Sequence, residues 1–272
     1  MRNVANEQLS SDIHRNRFFI AGHPVDPIGN TELLQRITDA VEHDRSLKLL
    51  HVNLHGLHCA RGSSGMRAVL ARPDAIVYVD GMPVVWMARA MGLSVATDAR
   101  MTGIDLVPRI LNMAAAKGWP VMFIGSEPGR VVAAEEALLA IAPGLSVCCR
   151  HGYFDLAEDG PGSLQREVLD AVRVFQPKIL IIGMGMPRQE EWLNRIADRI
   201  DVPVVMLVGG FIDYFTGKSA MPPRWMGRFG LEWLFRLATN PRRLFHRYCV
   251  EPLTILFPVI SDVAAARWSR RS

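Results

Sequence analysis

The sequence lacks the cysteine patterns and the long apolar runs that identify several classes of protein. Its 272 residues contain four cysteines with no CxxC pair or partnering histidine run, namely Cys59, Cys148, Cys149 and Cys249. A disulfide framework or a zinc site is therefore not expected, and a reducing cytoplasm fits better. No run of 18 apolar residues occurs, so we expect no simple membrane-spanning helix. Residues Met1 to Arg15 are polar and show no signal-peptide pattern.

Acidic residues are scarce in the last fifth of the chain. From Lys218 onward there are ten Lys and Arg against three Asp and Glu, a net charge of +7. The preceding 217 residues carry 21 against 24, a net charge of −3. A basic tail on a mildly acidic body predicts an anionic partner, such as a phosphate, a nucleic acid or a lipid headgroup.

Short apolar runs alternate with helix-like stretches through the first 217 residues. This alternation predicts βαβ crossovers and a Rossmann-like α/β fold with a mainly parallel sheet and flanking helices. Near-continuous apolar strands agree, because such sheets are covered on both faces. We expect one α/β domain over 1–217 and a basic appendage over 218–272. The predicted strands are 47–54, 75–79, 120–125, 145–149, 178–184 and 202–208.

The appendage is predicted to be amphipathic. Trp225, Phe229, Trp233 and Leu237 recur about one helical turn apart, with arginines between them. A basic helix with one aromatic and aliphatic face is typical of a segment that lies in a membrane interface. The alternative is a solvated helix packed on the body through Trp225 and Trp233. The apolar run over 252–260 is too short to cross a bilayer.

Several predicted strands end in glycine-rich turns, which a parallel sheet gathers at one edge. The residues concerned are Gly125, Gly185, Gly209, Gly210 and, three residues after Gly210, Asp213. Glycines there let the backbone approach a ligand, and a strand followed by a helix start favours a phosphate. The pattern indicates a nucleotide-like ligand. The alternative is that these glycines serve only tight turns.

Asp80 is the leading candidate for acid–base chemistry, because it directly follows an apolar strand. The alternative is a helix N-cap, which the sequence Asp-Gly-x-Pro also suits. Asp213 has the same two interpretations.

Polar side chains are unusually dense over 51–58. His51, Asn53, His55 and His58 alternate along the end of a strand and into the next helix. Imidazoles at this spacing are able to share a metal ion, but no carboxylate or cysteine pattern completes a ligand set. A polar lining for a sugar pocket is the preferred interpretation.

Taken in order, these motifs resemble the WecG/TagA/CpsF glycosyltransferases (glycosyltransferase family 26). The resemblance covers nearly everything from residue 47 to residue 248. The matching stretches are 74–86, RMTGIDL at 100–106, PVMFIGSEPG at 120–129, HGYF at 151–154, KILIIGMGMPRQEEW at 178–192, VGGFIDYFTGK at 208–218 and PPRWMGRFGLEWLFRLATNPRRLFHRY at 222–248.

The resemblance implies an inverting transfer of a sugar from a UDP-sugar to a polyprenyl-diphosphate-linked sugar, with no metal and no cofactor. It implies that Asp80 is the general base, that Gln189 contacts the nucleotide-sugar, and that Gly185, Gly209 and Gly210 line the UDP pocket. It also implies a C-terminal appendage that docks on an anionic membrane surface at the cytoplasmic face of the bacterial inner membrane. The matching arginines for the acceptor diphosphate are Arg224, Arg236, Arg242 and Arg243.

One position departs from the family's pattern. Many members carry Thr-x-Asn at the end of the first long strand, whereas this chain has His51-Val52-Asn53. We therefore expect His51 and Asn53 to join Asp80 in the catalytic group. A glucosyl-type donor, used in exopolysaccharide assembly, is preferred, and the alternative is an N-acetylmannosaminyl donor.

Two other functional classes fit the sequence less well. A dinucleotide-dependent oxidoreductase is disfavoured because no GxGxxG opens the first βα unit. A non-enzymatic binder of membranes or nucleic acid would use the basic tail, but it would leave the glycine-rich strand ends unexplained. The tail also mixes its cations with an aromatic face, so no nucleic-acid partner is expected. A homo-oligomer is allowed by the sequence.

Overall fold

The computed structural model describes residues 17–93, 95 and 100–268, without the side chains of Arg224 and Arg228. The expectation for Met1 to Arg15 lies outside the described residues. The strands are β1 Phe18–Ile20, β2 His23–Val25, β3 Leu47–Val52, β4 Ala75–Val79, β5 Val121–Gly125, β6 Val147–Arg150, β7 Ile179–Gly183 and β8 Val204–Leu207. The α-helices are α1 Asn30–Glu42, α2 Leu54–Gly62, α3 Ser64–Leu70, α4 Met82–Ala90, α5 Gly103–Lys117, α6 Val131–Ile141, α7 Leu164–Phe175, α8 Arg188–Ile196, α9 Ile212–Phe215, α10 Arg224–Arg228, α11 Glu232–Thr239, α12 Pro241–Phe245 and α13 Glu251–Trp268.

Six strands form one parallel sheet in the order β4-β3-β8-β7-β5-β6. Alternate residues of each strand point to opposite faces, so Leu50 and Val52 enter one apolar cluster and Leu47 and Leu49 enter the other. Helices α2, α3, α4, α7 and α8 cover the first face, and α1, α5 and α6 cover the second. The predicted α/β, mainly parallel, Rossmann-like fold is confirmed.

A short antiparallel hairpin, β1–β2, precedes the sheet. Its strands have three residues each, and the sequence pattern did not reveal them. They are held by the buried carboxylate of Asp26, which accepts hydrogen bonds from Arg17 Nε at 2.8 Å and from the amide of Val77 at 2.7 Å. A charged contact between distant residues, rather than local propensity, fixes the hairpin on the edge of β4.

Glycines form a row across three neighbouring strands at the carboxyl edge of the sheet. A Cβ on Gly125 would lie 2.6 Å from the carbonyl oxygen of Gly183, and a Cβ on Gly183 would lie 2.9 Å from that of Gly209. Atoms of the Phe123 ring would lie 2.8 Å from a Cβ on Gly125 and 3.1 Å from a Cβ on Gly183. Because the contacts with backbone are shorter than real Cβ atoms show, β5 and β7 end as bare backbone.

The C-terminal segment is helical and ends in one long helical run. Helix α12, a π-helical turn over His246–Val250 and α13 follow without a break. The run Pro241–Trp268 has 28 residues and a mean hydropathy of 1.6 in its most apolar window, so it is long and apolar enough to cross a membrane by length and composition. The expectation of no simple membrane-spanning helix rested on the length of uninterrupted apolar runs, whereas this helix continues through Glu251 and through the prolines that interrupt the apolar run.

Helix α13 lies along the body on the same face of the sheet as α2. Ile255 is buried, Asp262 accepts a hydrogen bond from the amide of Ala21 at 2.6 Å, and Arg267 Nε donates to the carbonyl of Ala90 at 3.2 Å. Trp225 and Trp233, which the packed-helix alternative named as anchors, are 56% and 38% exposed. The segment therefore packs on the body through α13 rather than through these tryptophans. The domain boundary at residue 217 stays a prediction.

Candidate active site

An open cavity of about 620 Å³ lies at the carboxyl edge of the sheet. Every strand of the parallel sheet ends at this cavity, and the C-terminal segment covers it. The strand-end residues that line it are Asn53 after β3, Asp80 after β4, Ser126 after β5, Gly152 after β6, Gly185 after β7 and Gly209 after β8. A parallel sheet places ligands at this edge, and the predicted gathering of these turns is confirmed.

Asp80 faces the cavity with its side chain about a quarter exposed. The amide nitrogen of Asn53 donates to Asp80 Oδ2 at 3.0 Å, while Asn53 Oδ1 caps α2 by accepting from the amide of Gly56 at 2.9 Å. Helix α4 begins after Gly81, which has a φ of +104° and no side-chain cap. Asp80 therefore does not occupy the N-cap position, and its carboxylate is available to a ligand.

His51 lies beside Asp80 and is nearly buried. Its Nδ1 is 3.0 Å from the carbonyl oxygen of Leu207, and its Nε2 is 3.9 Å from Asp80 Oδ2. Because a carbonyl only accepts hydrogen bonds, Nδ1 carries the proton and Nε2 presents a lone pair towards Asp80. Burial lowers the pKa of His51, although the charge of Asp80 opposes this effect, so the ring is neutral at pH 7.

A second, more apolar cavity of about 290 Å³ adjoins the first. Its apolar wall comes from Met82 and Pro83 on α4 and from Trp233 and Pro252 of the C-terminal segment. The residues that line both cavities are Asn53, His55, Asp80, Arg236, Arg247 and Tyr248. The carboxylate of Asp80 therefore stands where two cavities of different character meet.

Two arginines of the C-terminal segment face this junction. The Nε atoms of Arg236 and Arg247 are buried without a hydrogen-bond partner among the described residues. The guanidinium of Arg236 lies over the ring of Tyr214, 5.2 Å from its centroid, and that of Arg247 lies 5.8 Å from the centroid of Tyr248. Unpaired guanidinium groups beside a carboxylate suit a ligand that carries its own negative charge.

The four predicted arginines differ in their placement. Arg236 and Arg243 line the larger cavity. Arg242 is exposed and lines neither cavity, and the side chain of Arg224 lies outside the described part of the structure. Sequence reasoning missed Arg247, although it belongs to the HRY end of the last matching stretch.

Residues 187–191 form hydrogen bonds that hold the loops at the strand ends in place. Gln189 is fully buried, where its Oε1 accepts from the amide of Gly209 at 3.0 Å and its Nε2 donates to Glu190 at 2.8 Å. Arg188 donates to the carbonyls of Gly152 and Phe154. Gln189 lies outside the cavity lining, so its contact with a nucleotide-sugar stays a prediction. Its observed contact fixes the loop after β8.

The other predicted glycine positions fall into two groups. Gly185, Gly209 and Gly210 line the larger cavity, while Gly125 lies beneath its rim in the row of close backbone contacts. Asp213 also lines the cavity, in the first turn of the short helix α9, and lies 3.7 Å from Lys218 Nζ.

The histidines of 51–58 point in different directions. His55 reaches Glu251, and His58 Nδ1 lies 2.8 Å from Thr254 Oγ1, both on α13. Within the described ranges, no three His, Cys, Asp or Glu side chains are placed to hold a metal ion. Of the predicted polar lining, His51, Asn53 and His55 border the cavity, whereas His58 does not.

Tyr153, Tyr214 and Tyr248 also line the larger cavity and were not singled out from the sequence. Tyr153 lies within the HGYF stretch and is 58% exposed. Tyr214 follows Asp213 within the VGGFIDYFTGK stretch. Tyr153 comes after β6 and Tyr214 lies in α9, whereas Tyr248 reaches the cavity because the C-terminal segment covers the sheet edge.

Comparison with known proteins agrees with this geometry. The N-acetylglucosaminyldiphosphoundecaprenol N-acetyl-beta-D-mannosaminyltransferase of Staphylococcus aureus (strain NCTC 8325 / PS 47) is 29% identical over 175 residues, which cover 64% of this chain and 65% of that protein. The protein of the same name from Bacillus spizizenii is 31% identical over 176 residues, 65% of each chain. The chain thus matches just under two thirds of the length of these relatives. A model of the glycosyl transferase WecG/TagA/CpsF family matches residues 18–270, and the chain belongs to that family.

Proposed function

We propose that this protein transfers a sugar from a UDP-sugar to a sugar carried on a polyprenyl diphosphate, with inversion at the anomeric carbon. The observation that carries the proposal is the position of Asp80 at the junction of two cavities, with an orienting amide on one side and unpaired arginines above. The names of the relatives favour an N-acetylmannosaminyl donor over the glucosyl donor preferred from the sequence.

The larger cavity is assigned to the UDP-sugar. Its floor is bare backbone around Gly183 and Gly209, which lets a diphosphate come close to the main chain. Tyr153 at the rim offers an exposed ring against which a nucleobase is able to stack. The polar lining suits a sugar and two phosphates better than an apolar ligand.

The smaller cavity is assigned to the acceptor. Its apolar wall beside Trp233 suits the isoprenoid end of the lipid, and an acceptor bound there would have its hydroxyl near Asp80, which borders both cavities. Asp80 would remove the proton of that hydroxyl as it attacks the anomeric carbon. Arg236 and Arg247 would stabilise the negative charge that develops on the departing UDP.

His51 is proposed to act beside Asp80. Its neutral Nε2 accepts a hydrogen bond from a hydroxyl at the same place where Asp80 accepts one. Because the hydrogen bond to the Leu207 carbonyl holds the ring, the lone pair of His51 Nε2 points in a fixed direction. The position therefore suits recognition of a sugar hydroxyl as well as orientation of the nucleophile.

The C-terminal segment is proposed to lie in the membrane interface on the cytoplasmic face. Large apolar side chains on its outer side are exposed, namely Trp225, Phe229, Trp233, Leu234, Phe245, Leu253, Leu256, Phe257, Ile260 and Trp268. Two residues of α13 form hydrogen bonds with the body, Asp262 with the amide of Ala21 and Arg267 with the carbonyl of Ala90. The helix is therefore proposed to lie along the body rather than across a bilayer. The cations of the segment add attraction to anionic lipid, about 1 kcal/mol each. A homo-oligomer stays a prediction.

The transfer reaction is tested by UDP release and by formation of the lipid-linked disaccharide. Purified protein would be given UDP-N-acetylmannosamine or UDP-glucose with a short-chain N-acetylglucosaminyl diphosphoprenol, in buffer with and without EDTA. We expect turnover with the N-acetylmannosamine donor, insensitivity to EDTA, and at least a hundredfold loss, on the order typical for a general base, in Asp80→Asn. Undiminished turnover in Asp80→Asn would remove Asp80 from this role.

Membrane binding is tested separately by flotation with vesicles. Leu253→Glu together with Phe257→Glu adds charge to the exposed face of α13 and should abolish flotation with anionic vesicles. Glu substitution at Val174, exposed on α7, is the matched control and should leave flotation unchanged. Equal flotation of all three proteins would contradict the interfacial assignment.

A further inference from the structure

A close contact joins the body to the C-terminal segment at the edge of the larger cavity. His55 Nδ1 on α2 lies 2.5 Å from Oε2 of Glu251, the first residue of α13. Both side chains are largely buried, with 19% and 9% of their surface exposed. The transfer step proposed above uses neither group, so the contact needs its own explanation.

The protons of this contact have defined positions. A carboxylate accepts, so Nδ1 of His55 carries a proton and Nε2 is free to accept from the thiol of Cys59, whose Sγ is 3.6 Å away. Burial raises the pKa of Cys59 to about 11, so the thiol keeps its proton at neutral pH. His246 Nδ1 lies 3.4 Å from the other oxygen of Glu251. Each polar group here has a partner.

Glu251 is rigidly connected to a residue of the active site. Arg247 lies one turn earlier, and the π-helical turn His246–Val250 joins the two without a flexible link. Arg247 lines both cavities, and its Nε has no hydrogen-bond partner within the described part of the chain. The guanidinium of Arg247 contacts the ring of its neighbour Tyr248, so the contact of Glu251 with His55 is what connects this part of the segment to the body.

We propose that His55 and Glu251 are positioning residues. Their contact locks the start of α13 onto α2 and thereby holds the guanidinium of Arg247 over the junction of the two cavities, ready for a diphosphate. The effect on rate rests on the proposed function, whereas the effect on the position of residues 246–251 does not.

A matched control lies one turn further along the same two helices. His58 Nδ1 meets Thr254 Oγ1 at 2.8 Å, and the Thr254 hydroxyl donates to the carbonyl of Glu251 at 2.7 Å. This link also fastens α13 to α2, but neither side chain lines a cavity. Loss of the His58 link tests docking alone, and loss of the His55 link tests docking and the placement of Arg247.

Transfer kinetics separate the two roles. We expect kcat/KM to fall about tenfold or more in His55→Ala, mainly through a higher KM for the lipid-linked acceptor, and to stay within about twofold in His58→Ala. His55→Asn should keep most of the wild-type kcat/KM, because its side-chain amide nitrogen lies close to the position of Nδ1. In an Arg247→Ala background, His55→Ala should cost nothing further. Additive losses there, or equal losses in His58→Ala, would overturn the positioning role.

Hydrogen exchange gives a readout that does not depend on turnover. His55→Ala should accelerate amide exchange at residues 246–251 while β3 and β4 exchange as in the wild type. Unchanged exchange at 246–251 would overturn the proposal even if the variant is less active. A wild-type protein without transferase activity would remove the proposed function, yet this comparison would still decide whether His55 holds the segment.

Discussion

Asn53 holds Asp80 and caps a helix with the same side chain. Its amide nitrogen donates to Asp80 Oδ2 at 3.0 Å, and its carbonyl oxygen accepts from the amide of Gly56 at 2.9 Å. An amide is the side chain that performs both tasks, since it combines a donor with an acceptor. The start of α2 and the orientation of the carboxylate are therefore determined together.

Because Asn53 has two roles, we expect one substitution to lower activity without lowering stability. Asn53→Asp keeps an oxygen for the helix cap but loses the donor and places a second carboxylate beside Asp80. We expect a thermal midpoint close to wild type and a kcat at least about tenfold lower. Asn53→Ala should lose activity and also about 1 kcal/mol of stability with the cap. Thermal unfolding and UDP release measure the two effects, and full activity in Asn53→Asp would show that Asp80 needs no such donor.

The titration of His51 predicts how kcat/KM changes at acid pH. Burial lowers its pKa below the ordinary value of 6.5, so Nε2 is a free acceptor at neutral pH. Below that pKa, the protonated ring pairs with Asp80 and occupies its carboxylate. We expect kcat/KM to be flat through neutral pH and to fall about tenfold per pH unit only once the pH is below this lowered pKa. His51→Thr removes the titrating group, so its activity should fall less at acid pH. Coincident profiles would contradict this role.

The contacts of Arg236 at the cavity junction predict that a positive charge alone does not support full activity. Arg236→Lys keeps a cation but loses the planar contact with Tyr214 and the ability to bind a phosphate through two donors. We expect kcat/KM to fall by about 10²-fold, in the range found when one charge-stabilising donor is lost. Arg173→Lys, on the exposed surface of α7, is the control and should be neutral. A near-wild-type Arg236→Lys would indicate that a point charge is enough.

Glu190 predicts a pH dependence of stability. Burial raises its pKa from 4.5 to about 7, and its Oε2 has no partner among the described residues. The native state therefore binds more protons than the unfolded state between these values, so stability falls as pH rises through this window. In Glu190→Gln this fall should disappear, with a gain over wild type at pH 8 on the order of 1 kcal/mol per unit of pKa shift. Urea unfolding at pH 5 and pH 8 measures it, and parallel pH dependences in both proteins would refute it.

The buried strands were predictable because their pattern is local. Strands β3 to β8 begin and end within two residues of the predicted runs, since a strand covered on both faces must be apolar throughout. The hairpin β1–β2 depends instead on the contacts of Arg17 and Asp26 with Ala75 and Val77 of β4, which are distant in sequence. The long helix 241–268 was missed for a related reason: its charged residue Glu251 meets His55 of the body, and no local pattern reveals that partner.

The candidate site was predictable to the extent that strand ends determine it. Asp80, Asn53 and Gly209 reach the cavity because parallel strands deliver them there. Arg247 and Tyr248 were missed, because their position follows from how the C-terminal segment folds back over the sheet edge. Gln189 shows the same limit, since the sequence does not reveal that its side chain turns inward to the amide of Gly209.

The bare glycine row also decides where this scaffold has freedom to vary. A methyl group at Gly125 or Gly183 would collide with backbone, so neither of these two positions is able to carry a side chain that discriminates between sugars. We expect selectivity to be encoded instead at the walls of the cavity, by residues such as His51, and in the covering segment. Attempts to redirect the enzyme to a new donor should leave the floor untouched and begin there.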